Sequence, residues 1–361
     1  MGKGRPPKSS ILRRAGGVLL VLAISFVLGE LVLRLVHRFH PTFIYYDATY
    51  DRFRGKPGSL FRGHRLNELG FNDRPFVRDS GDRYRIVALG DSFAFGVVPY
   101  PDNYLTLLEQ ELGHADAAVD VLNMGIPRTG PVEQLSLLVN EGLAYEPDLV
   151  LVSFFVGNDF LDVRRSTAKR KTLTDRSFVM SLLRYAFVVR PNVEPGQVYG
   201  SRPYDDDSPT FSEQTFLKLV ARRAVVFRTD WQPFAELLDR TVESLQDIER
   251  VCARRGIALS VVLIPEEIQL DPALQRALMD AFKRFRRDNT DFERPNRMLH
   301  RRLTELEVDV LDLYPPFREA AGDARLYKPR DTHWNLAGNR LAAELITRHL
   351  VDQAIVPVTE P

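Results

Sequence analysis

From residue 84 onward, short apolar runs alternate with amphipathic stretches. The runs have the length of buried strands, and "DLVLVSFFVGND" is apolar on both faces, as in a sheet that is covered on both sides. Repeated alternation of strands with helices favours an α/β fold, a three-layer, doubly wound sandwich around a parallel sheet. The predicted strands lie in "YRIVALG", "AAVDVLNMG", "DLVLVSFFVGND", "IALSVVLIP" and "EVDVLDLYPPF".

The intervening stretches place apolar residues at helical spacing, with turn residues at their ends. "DNYLTLLEQELG" is predicted to end at Gly113, and "PVEQLSLLVNEGLAY" to begin with Pro131 in its first turn. A long helix in "WQPFAELLDRTVESLQDIERVCARRG" is closed by Gly256. Further helices are predicted at residues 272–288, at residues 295–305 and in "NLAGNRLAAELITRHL".

Residues 160–229 interrupt this alternation, and they are too many for a plain loop in a compact domain. We interpret them as an insertion over the functional face, with a helix in "SEQTFLKLVARR", and we predict that they shape acceptor selection. "DDD" at 205–207 lacks the spacing and glycine of a calcium loop. It is predicted to be a solvated loop, and "KRK" at 169–171 a solvated charged face.

The amino terminus has a different pattern. Residues 1–14 carry five basic residues and no acid, and the apolar run Gly16–Val36 that follows can cross a ~30 Å hydrocarbon core as a helix. We expect residues 15–37 to be a transmembrane anchor in contact with the lipid bilayer, within which Glu30 and Arg34 can pair. The basic flank then places residues 1–14 in the cytoplasm and the chain after about residue 37 outside the inner membrane.

The alternative for this segment is a signal peptide cleaved near Ala23-Ile24-Ser25. Cleavage there would leave a very short apolar core, so an uncleaved anchor is favoured. The remaining chain divides into a juxtamembrane connector at residues 38–82, which we expect to be ordered against the domain, the α/β domain at 83–352 and a tail at 353–361.

Composition narrows the class of protein. The 361 residues are 44% hydrophobic and 27% charged, as in ordinary globular proteins. Lys and Arg number 49 against 48 Asp and Glu, which gives no field that would attract nucleic acid. The single cysteine, Cys252, excludes an internal disulfide and cysteine-based zinc motifs.

Polar residues follow several of the predicted strands. Ser92 lies in "GDS" after the first strand, Asn158 in "GND" after the third, and Asp331 and His333 in "PRDTHWN" before the last helix. Ligands of parallel α/β sheets bind at the carboxyl ends of the strands, so these side chains are expected to meet there. A serine with a histidine base, a carboxylate that orients the base and an amide for the oxyanion are the parts of an acyl-transfer site.

The same blocks resemble the SGNH (GDSL-type) hydrolase family, in its membrane-anchored form. "IVALGDSFAFG" is similar to the first block of that family, "VLNMGIPRTG" to the second, "VGND" to the third and "DTHWNLAGNRLAAE" to the last, over roughly residues 66–350. The resemblance implies that Ser92 is the nucleophile and that His333 is the base, with Asp331 orienting it. It also implies that the Ser92 N–H and the Asn158 side chain hold the oxyanion.

Two positions depart from the family pattern. The second-block glycine, counted from Asn123, falls on Arg128, and Gly130 lies two residues further on, so either backbone N–H is a candidate oxyanion donor. Asp331 and His333 are spaced Asp-x-His instead of the common Asp-x-x-His. The shorter form resembles polysaccharide acetyltransferases and acetylesterases with the same fold.

The predicted function is therefore a serine-dependent ester hydrolase or O-acyltransferase, with O-acetyl as the expected group, on a carbohydrate or envelope polymer. The chemistry requires no cofactor, and no further ligands accompany Asp331 and His333, so no metal is predicted. The alternative is a catalytically silent binding or scaffold module in envelope polysaccharide assembly, which Arg128 would favour.

Overall fold

A computed structural model describes residues 8–39, 44–47, 52–55, 57–78, 81–115, 117–163, 177–184 and 204–357. The elements before the main sheet are α1 (Lys8–Phe39), β1 (Ile44–Asp47), β2 (Arg52–Gly55), β3 (Leu60–Phe61) and β4 (His64–Arg65). The strands of the main sheet are β5 (Tyr84–Leu89), β6 (Val119–Asn123), β7 (Leu149–Phe155), β8 (Ala258–Ile264) and β9 (Asp309–Asp312). The helices after β4 are α2 (Ser92–Phe95), α3 (Tyr104–His114), α4 (Pro131–Asn140), α5 (Asp159–Asp162), α6 (Phe178–Arg184), α7 (Glu213–Arg223), α8 (Pro233–Ala253), α9 (Glu267–Leu270), α10 (Pro272–Ala281), α11 (Arg294–Thr304), α12 (Tyr314–Ala320) and α13 (Leu336–Asp352).

The main sheet has the order β6-β5-β7-β8-β9, and every neighbouring pair is parallel. This is the doubly wound order 2-1-3-4-5. From β5 the chain first adds β6 on one side of the sheet, and it then adds β7, β8 and β9 on the other side. The central strand β7 is buried along its whole length, as its continuous apolar sequence predicts. The predicted fold class is confirmed, and each of the five predicted strands is present.

The core has two layers because successive residues of a strand face opposite sides of the sheet. In β5, Ile86 and Ala88 pack with residues of α3 and α13, whereas Val87 and Leu89 pack with residues of α4, α8 and α11. Helices therefore cover both faces of the sheet, which gives the three-layer sandwich.

Three predicted boundaries are wrong. Helix α3 continues through Gly113 to His114, and α10 ends at Ala281 instead of residue 288. Beyond α10 the backbone is extended at Phe282, and Phe285 turns inward to become buried. Strand β9 ends at Asp312, because the prolines that follow Tyr314 cannot donate to a strand ladder and are suited to the first turn of α12.

The connector region forms two short antiparallel hairpins, β1–β2 and β3–β4, which its mixed sequence did not predict. Its last part packs on the sheet: the Asn72 amide donates to the Phe95 carbonyl over 2.8 Å, and the Asn123 N–H donates to Asp73 over 2.8 Å. These contacts tie the connector to α2 and to the end of β6.

Helix α1 contains the apolar window Gly16–Leu35, with a mean hydropathy of 2.4 and no buried residue. By length and composition, this helix suits either a membrane span or a signal sequence.

Candidate active site

The candidate site lies at the point where the strand order reverses. From β5 the chain crosses to β6 on one side, and β7 lies on the other side. Ligands of doubly wound sheets bind in the crevice at this position, beyond the carboxyl ends of the strands. Ser92 begins the helix directly after β5, and Asn158 directly precedes the helix after β7.

Ser92, His333 and Asp331 form a continuous hydrogen-bonded chain. The Ser92 Oγ lies 2.7 Å from His333 Nε2, and His333 Nδ1 lies 2.7 Å from Asp331 Oδ1. His333 and Asp331 are buried, and Ser92 is partly exposed. This geometry allows the imidazole to accept the serine proton while its other nitrogen donates to the carboxylate.

The sequence around Ser92 fixes the start of α2. Asp91 is buried and its carboxylate accepts the Phe93 N–H over 2.9 Å, so it caps the helix. Gly90 is required because a Cβ there would lie 2.7 Å from the Ala94 Cβ. The Ser92 N–H belongs to the unpaired first turn and has no acceptor among the described residues, as an oxyanion donor requires.

Asp331 is held from its second side by the insertion. The Thr210 hydroxyl donates to Asp331 Oδ2, and the Thr210 N–H donates to the Pro329 carbonyl over 3.2 Å. Burial opposes ionisation of Asp331, but the hydrogen bond and charge of His333, together with Thr210, lower the pKa of that carboxyl. Thr210 was missed by the sequence analysis, because it lies outside every motif and 121 residues away from Asp331.

The acidic run at 205–207 is a loop in which Asp205 and Asp207 are exposed, as predicted, and it also contacts the loop that carries His333. Asp206 accepts the N–H of Leu336 over 3.1 Å at the start of α13. Asp207 forms an ion pair of 2.6 Å with Arg325, and the Lys328 ammonium donates to the carbonyls of Asp205 and Ser208. The basic run at 169–171 lies outside the described residues.

The second block supplies two candidate backbone donors, Arg128 and Gly130, which differ in backbone conformation. Arg128 has a φ of +67°, in the left-handed region that favours glycine. Gly130 has an extended backbone and precedes α4, where its N–H is donated to Glu133 Oε2 over 3.1 Å. The Gly130 N–H is therefore already engaged, and both positions stay candidates for the second-block donor.

Asn158 is partly buried, and its side-chain amide donates to Asp162 Oδ2 over 2.8 Å. An amide nitrogen carries two hydrogens, so this bond holds the side chain and leaves one hydrogen for an oxyanion. The neighbouring Asp159 accepts the Phe155 N–H over 2.9 Å. Burial, followed by the charges of Asp91 and Asp162, raises the pKa of Asp159 well above its usual value, which favours a neutral carboxyl behind the site.

Aromatic rings pack against the loop that carries His333. The Trp334 ring is buried and meets the Phe93 ring edge-on at 4.8 Å, and Phe93 lies 5.1 Å from the His333 ring. Trp334 thus packs beneath the loop that carries His333. Within the described ranges, no group of three or more His, Cys, Asp and Glu residues has the arrangement of a metal site.

Comparison with known families agrees with this architecture. Residues 228–359 match the family described as "SGNH hydrolase-like domain, acetyltransferase AlgX". The matched part includes Asp331 and His333, and the parallel sheet joins it to the strands that carry Ser92 and Asn158. Over the part that it covers, this match agrees with the SGNH hydrolase-like fold that the sequence blocks predicted.

No curated protein matches the chain in sequence. Similar solved structures include a lipase/acylhydrolase from Enterococcus faecalis, 14% identical, which covers 77% of this chain and 100% of its own at a TM-score of 0.42. The acetyl xylan esterase AlAXEase is 14% identical, covers 73% and 97%, and has a TM-score of 0.42. A catalytic mutant of Axe2, an acetylxylan esterase from Geobacillus stearothermophilus, is 12% identical, covers 75% and 95%, and has a TM-score of 0.41. The fold assignment rests on the sheet order and the family match.

Proposed function

We propose that this protein catalyses serine-dependent acyl transfer, as an ester hydrolase or an O-acyltransferase, and that the transferred group is O-acetyl on a carbohydrate or envelope polymer. The observation that carries the proposal is the chain of two 2.7 Å contacts from Ser92 through His333 to Asp331. The substrate class is supported by the family match and by the Asp-x-His spacing of the last block.

In the proposed mechanism, the Ser92 oxygen attacks the ester carbonyl while its proton passes to His333 Nε2. Asp331 holds the opposite N–H and stabilises the imidazolium. The Ser92 N–H, the Asn158 amide and the Arg128 N–H donate to the oxyanion of the tetrahedral intermediate. The intermediate collapses to acyl-Ser92, and the leaving alcohol takes the proton from His333.

The second half of the reaction repeats these roles. A water molecule or a sugar hydroxyl gives its proton to His333 and attacks the acyl-serine carbonyl, which releases the acid or the acylated sugar and returns the proton to Ser92. Water gives hydrolysis, and a sugar hydroxyl gives transfer. Product analysis with an acetyl ester, with and without a sugar acceptor, distinguishes the two outcomes.

We further propose that α1 is a retained anchor that places the domain outside the inner membrane. The Glu30 carboxylate in α1 accepts hydrogen bonds from Ser177, Phe178 and Val179, which belong to the insertion. Cleavage near Ala23-Ile24-Ser25 would shorten the helix that carries this contact. The apolar window Gly16–Leu35 keeps the length needed to cross the hydrocarbon core only if it is not cleaved, which supports a retained anchor.

The test compares Ser92→Ala with the wild type in turnover of an acetyl ester by the purified full-length chain. We expect complete loss of turnover with little change in stability, since among the described residues the hydroxyl contacts only His333. Asn158→Ala is expected to lose about 100- to 1000-fold in turnover, as is usual for one oxyanion donor. A serine-reactive phosphonate should label the wild type and not Ser92→Ala.

Ser244→Ala serves as the matched control, because that hydroxyl is exposed on α8 and bonds only to the Arg240 carbonyl. It should retain both turnover and labelling. Full ester turnover by folded Ser92→Ala would show that Ser92 is only a turn residue, and the proposal would then be wrong.

A further inference from the structure

The insertion contacts α1 through a polar junction on an otherwise apolar helix. Glu30 pairs with Arg34 over 2.7 Å, and its carboxylate also accepts the Ser177 hydroxyl over 2.9 Å and the N–H groups of Phe178 and Val179 over 3.1 Å each. The Arg34 guanidinium lies 4.9 Å from the centre of the Phe178 ring. Apart from the Glu30–Arg34 pair, which lies within α1, these contacts join α1 to the first turn of α6 or to the residue before it.

Gly29 of α1 also permits the close approach of α6. At Gly29, a Cβ would lie 3.4 Å from Val179 Cγ2, in van der Waals contact with the first turn of α6. A larger side chain than alanine at this position would meet α6. Glycine next to Glu30 therefore allows α6 to rest on the backbone of α1.

This junction lies within the apolar part of α1. Glu30 precedes Leu35, the last residue of the apolar window, by about one and a half helical turns, or roughly 7–8 Å. If the window spans the hydrocarbon core, this depth corresponds to the outer part of the leaflet on the domain's side. An ionised side chain is costly there unless it is paired, and Glu30 has both a cation and hydrogen-bond donors.

Beyond its contact with α1, α6 presents exposed apolar side chains. Met180, Leu182 and Leu183 are 40%, 49% and 45% exposed in a helix of seven residues. The apolar window of α1 is likewise without any buried residue. The exposed side chains of α6 therefore continue the apolar surface of α1, and contiguous apolar surfaces of this kind usually mark a binding face.

We propose that α6 is a second membrane contact, which lies in the leaflet on the domain's side with Met180, Leu182 and Leu183 among the lipid acyl chains. The proposal rests on the retained anchor of the proposed function. Short helices with apolar faces bind at this level of a bilayer through the apolar area that they bury. The insertion would then join the membrane, through α6, to the Thr210 segment that holds Asp331.

The experiment places a single spin label in the full-length chain in lipid nanodiscs. The natural Cys252 is buried and is replaced by alanine, and one cysteine is introduced as Leu182→Cys, Leu22→Cys or Val77→Cys. Leu22 lies in the middle of the apolar window, and Val77 is an exposed apolar residue of the connector, 60% exposed. Collisions with oxygen, which concentrates in lipid, are compared with collisions with a water-soluble nickel chelate.

We expect the oxygen-to-nickel collision ratio at Leu182 to exceed that at Val77 by about threefold or more, and to approach the ratio at Leu22, because the hydrocarbon excludes water and its solutes. A Leu182 label that collides with nickel as freely as the Val77 label would overturn the proposal. A label shielded from both reagents would also overturn it, since it would show a protein partner on this face.

The Leu22 label tests the anchor α1 separately from the membrane contact of α6. A lipid ratio at Leu22 with a water ratio at Leu182 would leave the anchor in place and reject only the membrane contact of α6. A water ratio at both positions would reject the anchor and α6 together. Neither result would affect the serine chemistry, which the Ser92 variant tests separately.

Discussion

Arg128 occupies a backbone conformation that usually belongs to glycine. Its φ of +67° costs a residue with a Cβ about 1–2 kcal/mol, and the family pattern has glycine at the same distance from Asn123. The chain thus retains the glycine-like turn although the glycine is absent. Arg128 alone therefore gives no support to the alternative of a silent scaffold module.

At this residue we predict that Arg128→Gly retains ester turnover within about threefold of the wild type, because the backbone N–H that would serve the oxyanion is kept. Stability should change little, since the relief of left-handed strain is offset by the greater entropy of glycine in the unfolded chain, about 0.5–1 kcal/mol. Turnover is measured on an acetyl ester and stability by thermal unfolding.

Arg128→Pro is the informative counterpart, because proline has no N–H and cannot adopt a positive φ. It should lose turnover far more than Arg128→Gly does. If Arg128→Gly itself loses on the order of 100-fold, the size of an oxyanion donor's contribution, then the arginine side chain and not its backbone serves the reaction.

Among single residues, the sequence indicated those that lie in short blocks at strand ends. Ser92 and Asn158 follow apolar runs, and the parallel arrangement of the runs brings their ends to one edge. Thr210 could not be found in this way. Its partner Asp331 is remote in the chain, and a threonine before a phenylalanine carries no local signal of a hydrogen bond to a carboxylate.

At the scale of elements, the insertion contacts residues of the candidate site directly. Its last described part, residues 204–229, begins with a segment that contacts Asp331, Arg325, Lys328 and the start of α13. Its removal would expose the loop that carries His333. A role in acceptor selection stays a prediction, and point substitutions test it better than deletion does.

We predict that Thr210→Val lowers turnover by about tenfold, because a hydrogen bond to a charged group contributes ~1.5–3 kcal/mol and only part of that acts on the transition state. The variant should also change the pH profile. Thr210 helps to keep the pKa of Asp331 low, so its loss raises that pKa. Asp331 must be ionised to hold the imidazolium, and activity on the acid side should therefore begin to fall at a higher pH than in the wild type.

The matched control is Thr229→Val, which alters an exposed threonine at the end of the same insertion. It should keep both the rate and the pH profile of the wild type. If Thr210→Val is slower but its activity falls at the same acidic pH as that of the wild type, then Thr210 acts only through packing. The hydrogen bond from Thr210 to Asp331 would then not contribute to the reaction.

Elements with a strong period were predictable, and those fixed by distant contacts were not. Strand β7 and helix α8 follow directly from a continuous apolar run and a long helical stripe. The hairpins β1–β2 and β3–β4 carry no alternating pattern, so the sequence predicted only a connector. The contact of α6 with α1 joins Glu30 to residues almost 150 positions away, and no local pattern reports such a pairing.

The whole molecule has three parts: the proposed anchor α1, the α/β domain and the insertion, which contacts both of them. The net charge is only +1, so orientation depends on where charges lie and not on their sum. Five basic residues without an acid precede the apolar window, and Arg34 near its far end is paired with Glu30. Basic residues close to a membrane span are retained on the cytoplasmic side.

We therefore predict that a reporter that is active only outside the inner membrane, fused after Pro361, is active in cells. Replacement of Lys3, Arg5, Lys8, Arg13 and Arg14 by glutamine should reduce that activity, since it removes the charge difference across the span. The control replaces five exposed basic residues of the domain, which lie far from the span and should have no effect. Activity of a reporter that works only in the cytoplasm would contradict the orientation, and it would place Ser92 on the opposite side from any envelope polymer.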